Sequence, residues 1–219
     1  MLEYPEMRNL SKSPREYCIA FNKLDGQNIR VKYDKKNKFS LFGSRHRLFD
    51  ETDNQFEKVI PLFNNTLRNN LERLIVDNKD FKDFKELIVF MEYYGPNSFA
   101  GMHDENDILN NLMKLVVFDI LIINKKNINQ FILPNDFIKL FNKTQIEIPN
   151  IIYEGNLNDT FIKNVKNNIY NLKEGVVCKG ITKRGDYRGK VWMCKIKTQY
   201  YLDRIKQEFG EKGLQLYGE

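Results

Sequence analysis

Long apolar runs are missing from this chain of 219 residues. A membrane-spanning helix takes ~20 consecutive apolar residues, and the longest apolar stretch, Lys114 to Ile123, has the length of a strand. The first residues, MLEYPEMRNL, carry acids and a proline and no apolar signal region, so secretion is not expected. Cysteine is scarce. Cys18, Cys178 and Cys194 lie far apart and form no CxxC pair, which argues against a zinc framework or a disulfide scaffold. Their apolar flanks fit reduced, buried thiols in a cytoplasmic protein. Gly/Ser-rich or Pro-rich linkers and internal repeats are also absent.

What is present is material for one globular domain. Apolar residues make up 42% of the chain, too many for a disordered one. The net charge is +6 and the pI is near 9.0, compatible with a polyanionic partner. A Lys-rich and Asn-rich chain also reaches such a balance through base composition alone, so charge by itself does not decide for nucleic acid.

The periodicities alternate between strand and helix. Glu16 to Asn22 and Gln27 to Tyr33 read as two strands around a tight KLDG turn, with a third near Phe39 to Phe42 after a polar DKKNK hairpin. The first dozen residues read as a loosely ordered arm. Apolar residues at helical spacing run from Phe56 to Leu74, with Pro61 in a first turn or at a kink. Glu86 to Tyr93 and Leu115 to Ile123 read as strands. A short helix is expected over Asp104 to Met113, and surface helices over Asn135 to Asn142 and Asp159 to Asn168. Glu174 to Lys179 and Val191 to Lys197 read as strands flanking the polar hairpin TKRGDYRG, and Tyr200 to Phe209 as a closing helix. Hairpins with inserted helices predict an α+β fold with mainly antiparallel sheets.

Lys23-Leu24-Asp25-Gly26 is a weak motif on its own. A K-x-D-G string arises by chance in roughly one protein in ten at ordinary residue frequencies, and a polar turn explains it equally well. The residues that follow in order add weight. Glu92 ends an apolar strand in VFMEYYG, Phe118 and Asp119 sit inside VVFDILI, Glu174 and Lys179 bracket EGVVCK, and Lys195 and Lys197 alternate in MCKIK. Each could stand on the solvated face of a half-exposed strand. Four such strand-borne sites are not an ordinary core pattern, because a buried charge is costly unless paired or functional.

This ordered set resembles motifs I, III, IIIa, IV and V of the covalent nucleotidyltransferases: ATP-dependent DNA ligases, RNA ligases and mRNA capping enzymes. The likeness runs from about residue 17 to residue 201. In detail it is similar to the ATP-dependent RNA ligases of the phage RNA ligase 2-like group, in which an asparagine follows the motif I glycine by two residues, as Asn28 does here. The tail KIKTQYYL is also similar to the RNA ligase 1 group. The resemblance implies a nucleotidyltransferase (ATP-grasp-like) domain and ATP as the nucleotide. Lys23 would take up AMP as a covalent adduct, with Mg²⁺ or Mn²⁺ as the metal. The AMP would pass to a 5′-phosphate RNA end, which is then sealed to a 3′-OH.

An ordinary lysine of pKa near 10.4 is neutral in only about one molecule in a few thousand at pH 7. The resemblance brings Lys179, Lys195 and Lys197 to Lys23, where cations would disfavour its ammonium and hold developing phosphate charge. By the same resemblance Phe118 stacks on adenine and Glu92 and Arg45 contact the ribose. Arg47 is the competitor of Arg45. Glu174 helps place the metal, Asn28 contacts phosphate or the RNA end, Asp25 orients either the turn or the lysine, and Gly26 belongs to the turn. Asp119 either helps the site or bonds locally. His46 lies in the basic SRHR loop, and His103 in a polar loop reads as solvated. The hairpin cations Lys183, Arg184, Arg188 and Lys190 fit RNA phosphates or a solvated turn equally well.

Only 22 residues follow Lys197 (219 − 197), too few for an oligonucleotide-binding barrel, so a single nucleotidyltransferase domain over residues 1–219 is expected. The expected protein is a cytoplasmic monomer without membrane contact. Two alternatives stay open. One is a small DNA ligase or GTP-using capping-type transferase. The other is a non-catalytic nucleotide- or RNA-binding module.

Overall fold

The computed structural model describes residues 1–102, 108–183 and 188–217. It is an α+β structure built on two antiparallel sheets, in agreement with the expected class. The chain forms two compact units. Unit 1 holds Met1–Pro5 and Gly26–Ile148; unit 2 holds Glu6–Asp25 and Pro149–Glu219.

The sheet of unit 1 contains β2 (Gln27–Asp34), β3 (Lys38–Gly43), β4 (Leu48–Phe49), β5 (Phe84–Tyr94), β6 (Lys114–Asn124) and β7 (Asn129–Phe131), in the order β4-β3-β2-β5-β6-β7. Alternate side chains fall on opposite faces. One face carries Ile29, Val31, Leu87, Val89, Met91, Leu115 and Val117 and packs against the helices α1 (Val59–Thr66), α2 (Arg68–Asp77) and α3 (Pro134–Phe141). These helices bury their apolar stripes there through Val59, Ile60, Phe63, Leu71, Ile75, Phe137 and Phe141. Pro61 stands in the first turn of α1, where its missing N–H costs nothing, and the break between helices comes at Leu67. Between β2 and β3 the carboxylate of Asp34 accepts the amides of Lys36 and Asn37 at 3.0 and 2.7 Å, which closes the polar hairpin.

Unit 2 has β1 (Tyr17–Lys23), β8 (Ile151–Asn156), β9 (Gly175–Ile181) and β10 (Val191–Lys197) in the order β10-β9-β1-β8. Its core face carries Cys18, Ala20, Val176, Cys178, Trp192, Cys194 and Ile196, covered by α4 (Asp159–Lys166) through Phe161, Ile162 and Val165. Asn158 caps α4, its side chain accepting the Phe161 amide at 2.8 Å. The chain ends in α5 (Gln199–Tyr217), broken at Gly210, whose φ of 65° no helix accommodates.

Two expectations need correction. KLDG is not the turn of a hairpin, because β1 and β2 belong to different sheets and the chain passes from unit 2 to unit 1 between Asp25 and Gly26. The first residues are not a loose arm. Met1 and Tyr4 pack on the second face of the unit 1 sheet, with Ile88, Phe90, Leu121 and Ile123. The short helix expected before β6 is present in its described part as a 3-10 helix at Ile108–Leu112. The expected residues Asp104 to Asp107, together with His103 and Arg184, lie outside the described residues.

Candidate active site

The register of β1, β9 and β10 sets three rows of side chains on the face of the unit 2 sheet away from its core. They are Lys23–Gly175–Lys197, Phe21–Val177–Lys195 and Ile19–Lys179–Met193. Period-two alternation therefore carries Lys23, Lys179, Lys195 and Lys197 to one face. Glu174, 2% exposed, leads into β9 and joins the first row from below. Its Oε2 accepts Lys23 Nζ at 2.7 Å and its Oε1 lies 3.1 Å from Lys197 Nζ. One carboxylate thus holds two lysines.

Burial pulls the Lys197 ammonium below its ordinary value, with Glu174 opposing and the Lys23 cation reinforcing the shift. Lys197 also donates to the Tyr217 carbonyl and stands 5.1 Å from the centre of the Tyr201 ring. The Lys179 ammonium lies 5.5 Å from the centre of the Phe21 ring.

Gly175 is the position where β1 and β10 both pair with β9. A Cβ there would lie 2.0 Å from the Ile196 carbonyl oxygen and 2.8 Å from Lys197 Cα, so no side chain fits between the two lysines. Asp25 is buried and accepts the Tyr201 hydroxyl at 3.2 Å. Gly175 and Tyr201 both stand within the conspicuous strings EGVVCK and KIKTQYYL, yet neither charge nor periodicity marks them.

In unit 1 the face opposite the helices carries the remaining expected residues. Asn28 and Glu92 are direct partners across β2 and β5, and Glu92 pairs with Val116 on β6. Glu92 Oε1 accepts the Gly26 amide at 3.1 Å. Gly26 needs to be glycine for lack of space, not for a special dihedral angle. A Cβ would come within 2.4 Å of the Tyr93 carbonyl oxygen and 2.5 Å of Tyr94 Cβ.

Phe118 occupies a bulge in β6 between the pairs Met91–Val117 and Phe90–Asp119. It is half-buried, with Phe90 at 6.3 Å on one side and the Tyr4 ring edge-on at 5.1 Å. Asp119 is buried and accepts the Tyr4 hydroxyl at 2.9 Å and the Ile120 amide at 3.0 Å. Burial, with Asp119 and Glu92 nearby, holds the Tyr4 phenol well above its ordinary value. Tyr4 is a contact that sequence reasoning missed, because it lies in a segment without periodicity. Arg45 is exposed on the loop after β3. Arg47 is committed to Asp53 and lies 5.2 Å from the centre of the Phe56 ring.

Among the described residues no group of three or more Asp, Glu, His or Cys could cage a metal. A single buried carboxylate, Glu174, fits instead a divalent ion that brings phosphate oxygens with it.

This two-sheet architecture is that of the nucleotidyltransferase domains of nucleic-acid ligases. A Naegleria gruberi RNA ligase with PPi superposes with a TM-score of 0.60 at 18% identity, over 95% of this chain and 59% of that one. An Aquifex aeolicus protein assigned as an ATP-dependent DNA ligase gives 0.59 at 18% identity, over 94% and 52%. An archaeal ATP-dependent RNA ligase gives 0.58 at 13%, over 92% and 50%. The chain therefore spans little more than half the length of these proteins. A search of curated proteins by sequence finds no match. The RNA ligase family matches residues 16–197, and the chain belongs to that family.

Proposed function

We propose that the protein is an ATP-dependent RNA ligase of the phage RNA ligase 2-like group, which adenylylates itself on Lys23. The observation that carries this reading is the Lys23–Glu174–Lys197 bridge, set beside Lys195 and Lys179 on one sheet face. Attack requires Lys23 to leave its ion pair and surrender a proton. Its Nζ then bonds to the α-phosphorus of ATP, the α–β anhydride bond breaks, and pyrophosphate leaves.

Lys195, Lys197 and Lys179 hold the phosphate charge that develops. Phe118 takes the adenine face, Glu92 and Arg45 the ribose, and Asn28 a phosphate. Glu174 is the carboxylate that would hold a nucleotide-borne Mg²⁺ or Mn²⁺, an ion that neutralises phosphate charge. AMP then passes to the 5′-phosphate of an RNA end, forming a new anhydride, and the 3′-OH displaces it to close the phosphodiester. Three free, buried cysteines suit a reducing, cytoplasmic setting.

The deciding experiment is incubation with α-labelled ATP or GTP and Mg²⁺ or Mn²⁺, followed by denaturing electrophoresis. A labelled adduct from ATP, lost in Lys23→Ala, is the expected result. Label from GTP alone would instead indicate a capping-type transferase, and no adduct with either nucleotide would remove the enzymatic reading. The Aquifex aeolicus match keeps nicked DNA beside nicked and single-stranded RNA as an acceptor to compare.

A further inference from the structure

Arg30 is the most deeply buried cation of unit 1, at 3% exposure, and it is poorly served. Among the described residues its Nε and Nη1 have no hydrogen-bond partner. Burial lowers its guanidinium below the ordinary value, and the carboxylate of Glu3 only partly opposes this. That carboxylate lies 3.7 Å from Nη2, beyond hydrogen-bonding distance, and is itself half exposed. A buried, incompletely paired guanidinium is costly, so its retention calls for a reason, and an anionic ligand that completes it is one.

The surroundings are built for an anion. Arg30 follows Asn28 by two residues on β2, so it shares the face of Asn28 and Glu92. Opposite it on β3 stands Gly43, where a Cβ would meet Arg30 Nε at 3.0 Å and Met1 Cε at 3.1 Å. The missing side chain is the room the guanidinium lies in. His46 Nδ1 approaches the other oxygen of Glu3 at 3.5 Å. Glu3 is thus a carboxylate held between two basic side chains. The segment that carries it, Met1–Pro5, also packs on this face through Met1 and Tyr4, and the Tyr4 hydroxyl donates to Asp119.

We propose that Arg30, with His46 beside it, is a phosphate-binding site that Glu3 occupies as an internal stand-in when no substrate is bound. A phosphate ester offers the guanidinium a two-pronged acceptor of higher charge, which a carboxylate at 3.7 Å does not. The reading of the chain as an RNA-joining enzyme supplies only the source of that phosphate, an RNA strand or the nucleotide. The site uses none of the residues that carry the adenylylation chemistry.

The test measures a short fluorescent 5′-phosphorylated RNA by anisotropy without ATP, so failure of Lys23 to take up AMP would leave it intact. The KM for ATP in self-adenylylation is measured separately. Glu3→Gln removes the internal competitor and is expected to tighten one of these about three- to tenfold. A shift in RNA affinity assigns the site to the strand, and a shift in KM to the nucleotide. Arg30→Gln is expected to weaken the same ligand about tenfold and to cancel the gain from Glu3→Gln in the double variant. Should Arg30→Gln fail to fold by circular dichroism, Arg30→Lys, which keeps the charge without the fork, takes its place in the cycle. A folded Glu3→Gln protein with unchanged RNA affinity and unchanged KM overturns the proposal, as does strict additivity in the double variant.

Discussion

Glu174 concentrates the electrostatics of the site in one carboxylate. It is 3% exposed at its side chain, and its two oxygens face two different lysines. Removing one partner of a buried pair leaves the others uncompensated, at a cost of about 3–5 kcal/mol. Glu174→Gln is therefore expected to lower the unfolding free energy by roughly that amount in urea titrations, more than any exposed acid such as Glu211 would. Lys197 supplies a pH dependence of its own. Burial puts its folded value below the ordinary 10.5, so the folded protein gives up that proton before the unfolded chain does. Stability then rises with pH between the lowered value and 10.5, because the unfolded state binds the extra proton in that window. Lys197→Met should flatten the rise, read as the difference between variant and wild type in urea midpoints across alkaline pH. Equal slopes would mean that Lys197 is not buried as an ammonium.

At the scale of elements, β9 is the keel of unit 2, and Gly175 is where it meets both Lys23 and Lys197. Gly175→Ala drives a methyl group into the Ile196 carbonyl, so β10 must shift at the residue that carries Lys197. A loss of about 3 kcal/mol in stability is expected, together with loss of the AMP adduct. A folded variant with a wild-type adduct level would show that β10 tolerates the shift. The strands bearing these lysines were legible because CKIK alternates cleanly and VVCK is a β-prone apolar run ending in a lysine. Their partners were less so. β8 (IIYEGN) is an edge strand with half its residues exposed and a glycine inside it, so it has neither a clean alternation nor a continuous apolar run. β7 is three residues long. Without β8, β1 has no visible neighbour except β2, which is why KLDG reads as a hairpin. The charged members of the candidate site could be found from their types. Gly26 and Gly175 are required by backbone crowding that only the folded registers reveal. Tyr4, Arg30 and Tyr201 act across long sequence separations, which no local pattern encodes.

For the whole molecule, the charge is unevenly divided. Unit 1 has 18 Lys and Arg against 18 Asp and Glu, so unit 2 holds the other 17 (35 − 18) against 11 (29 − 18) and carries the entire net +6. Counterion release from RNA is therefore expected to depend on unit 2, whatever discrete contacts unit 1 adds. The exposed Lys183, Arg188 and Lys190 at the β9–β10 connection are the natural contributors, standing together on a short segment beside strands that bear Lys179 and Lys195. Each phosphate contact to a single strand contributes about 0.7 to the slope of log K against log salt. Replacing all three by Gln should reduce that slope by about 2 and weaken binding to all RNA sequences alike. The matched control replaces three exposed lysines of unit 1, Lys85, Lys125 and Lys126, and is expected to leave the slope near wild type. If the two triple variants lose slope equally, RNA follows the summed charge and not the uneven division of it. If only the unit 2 variant does, the surface that tracks the strand belongs to the same sheet that carries Lys23.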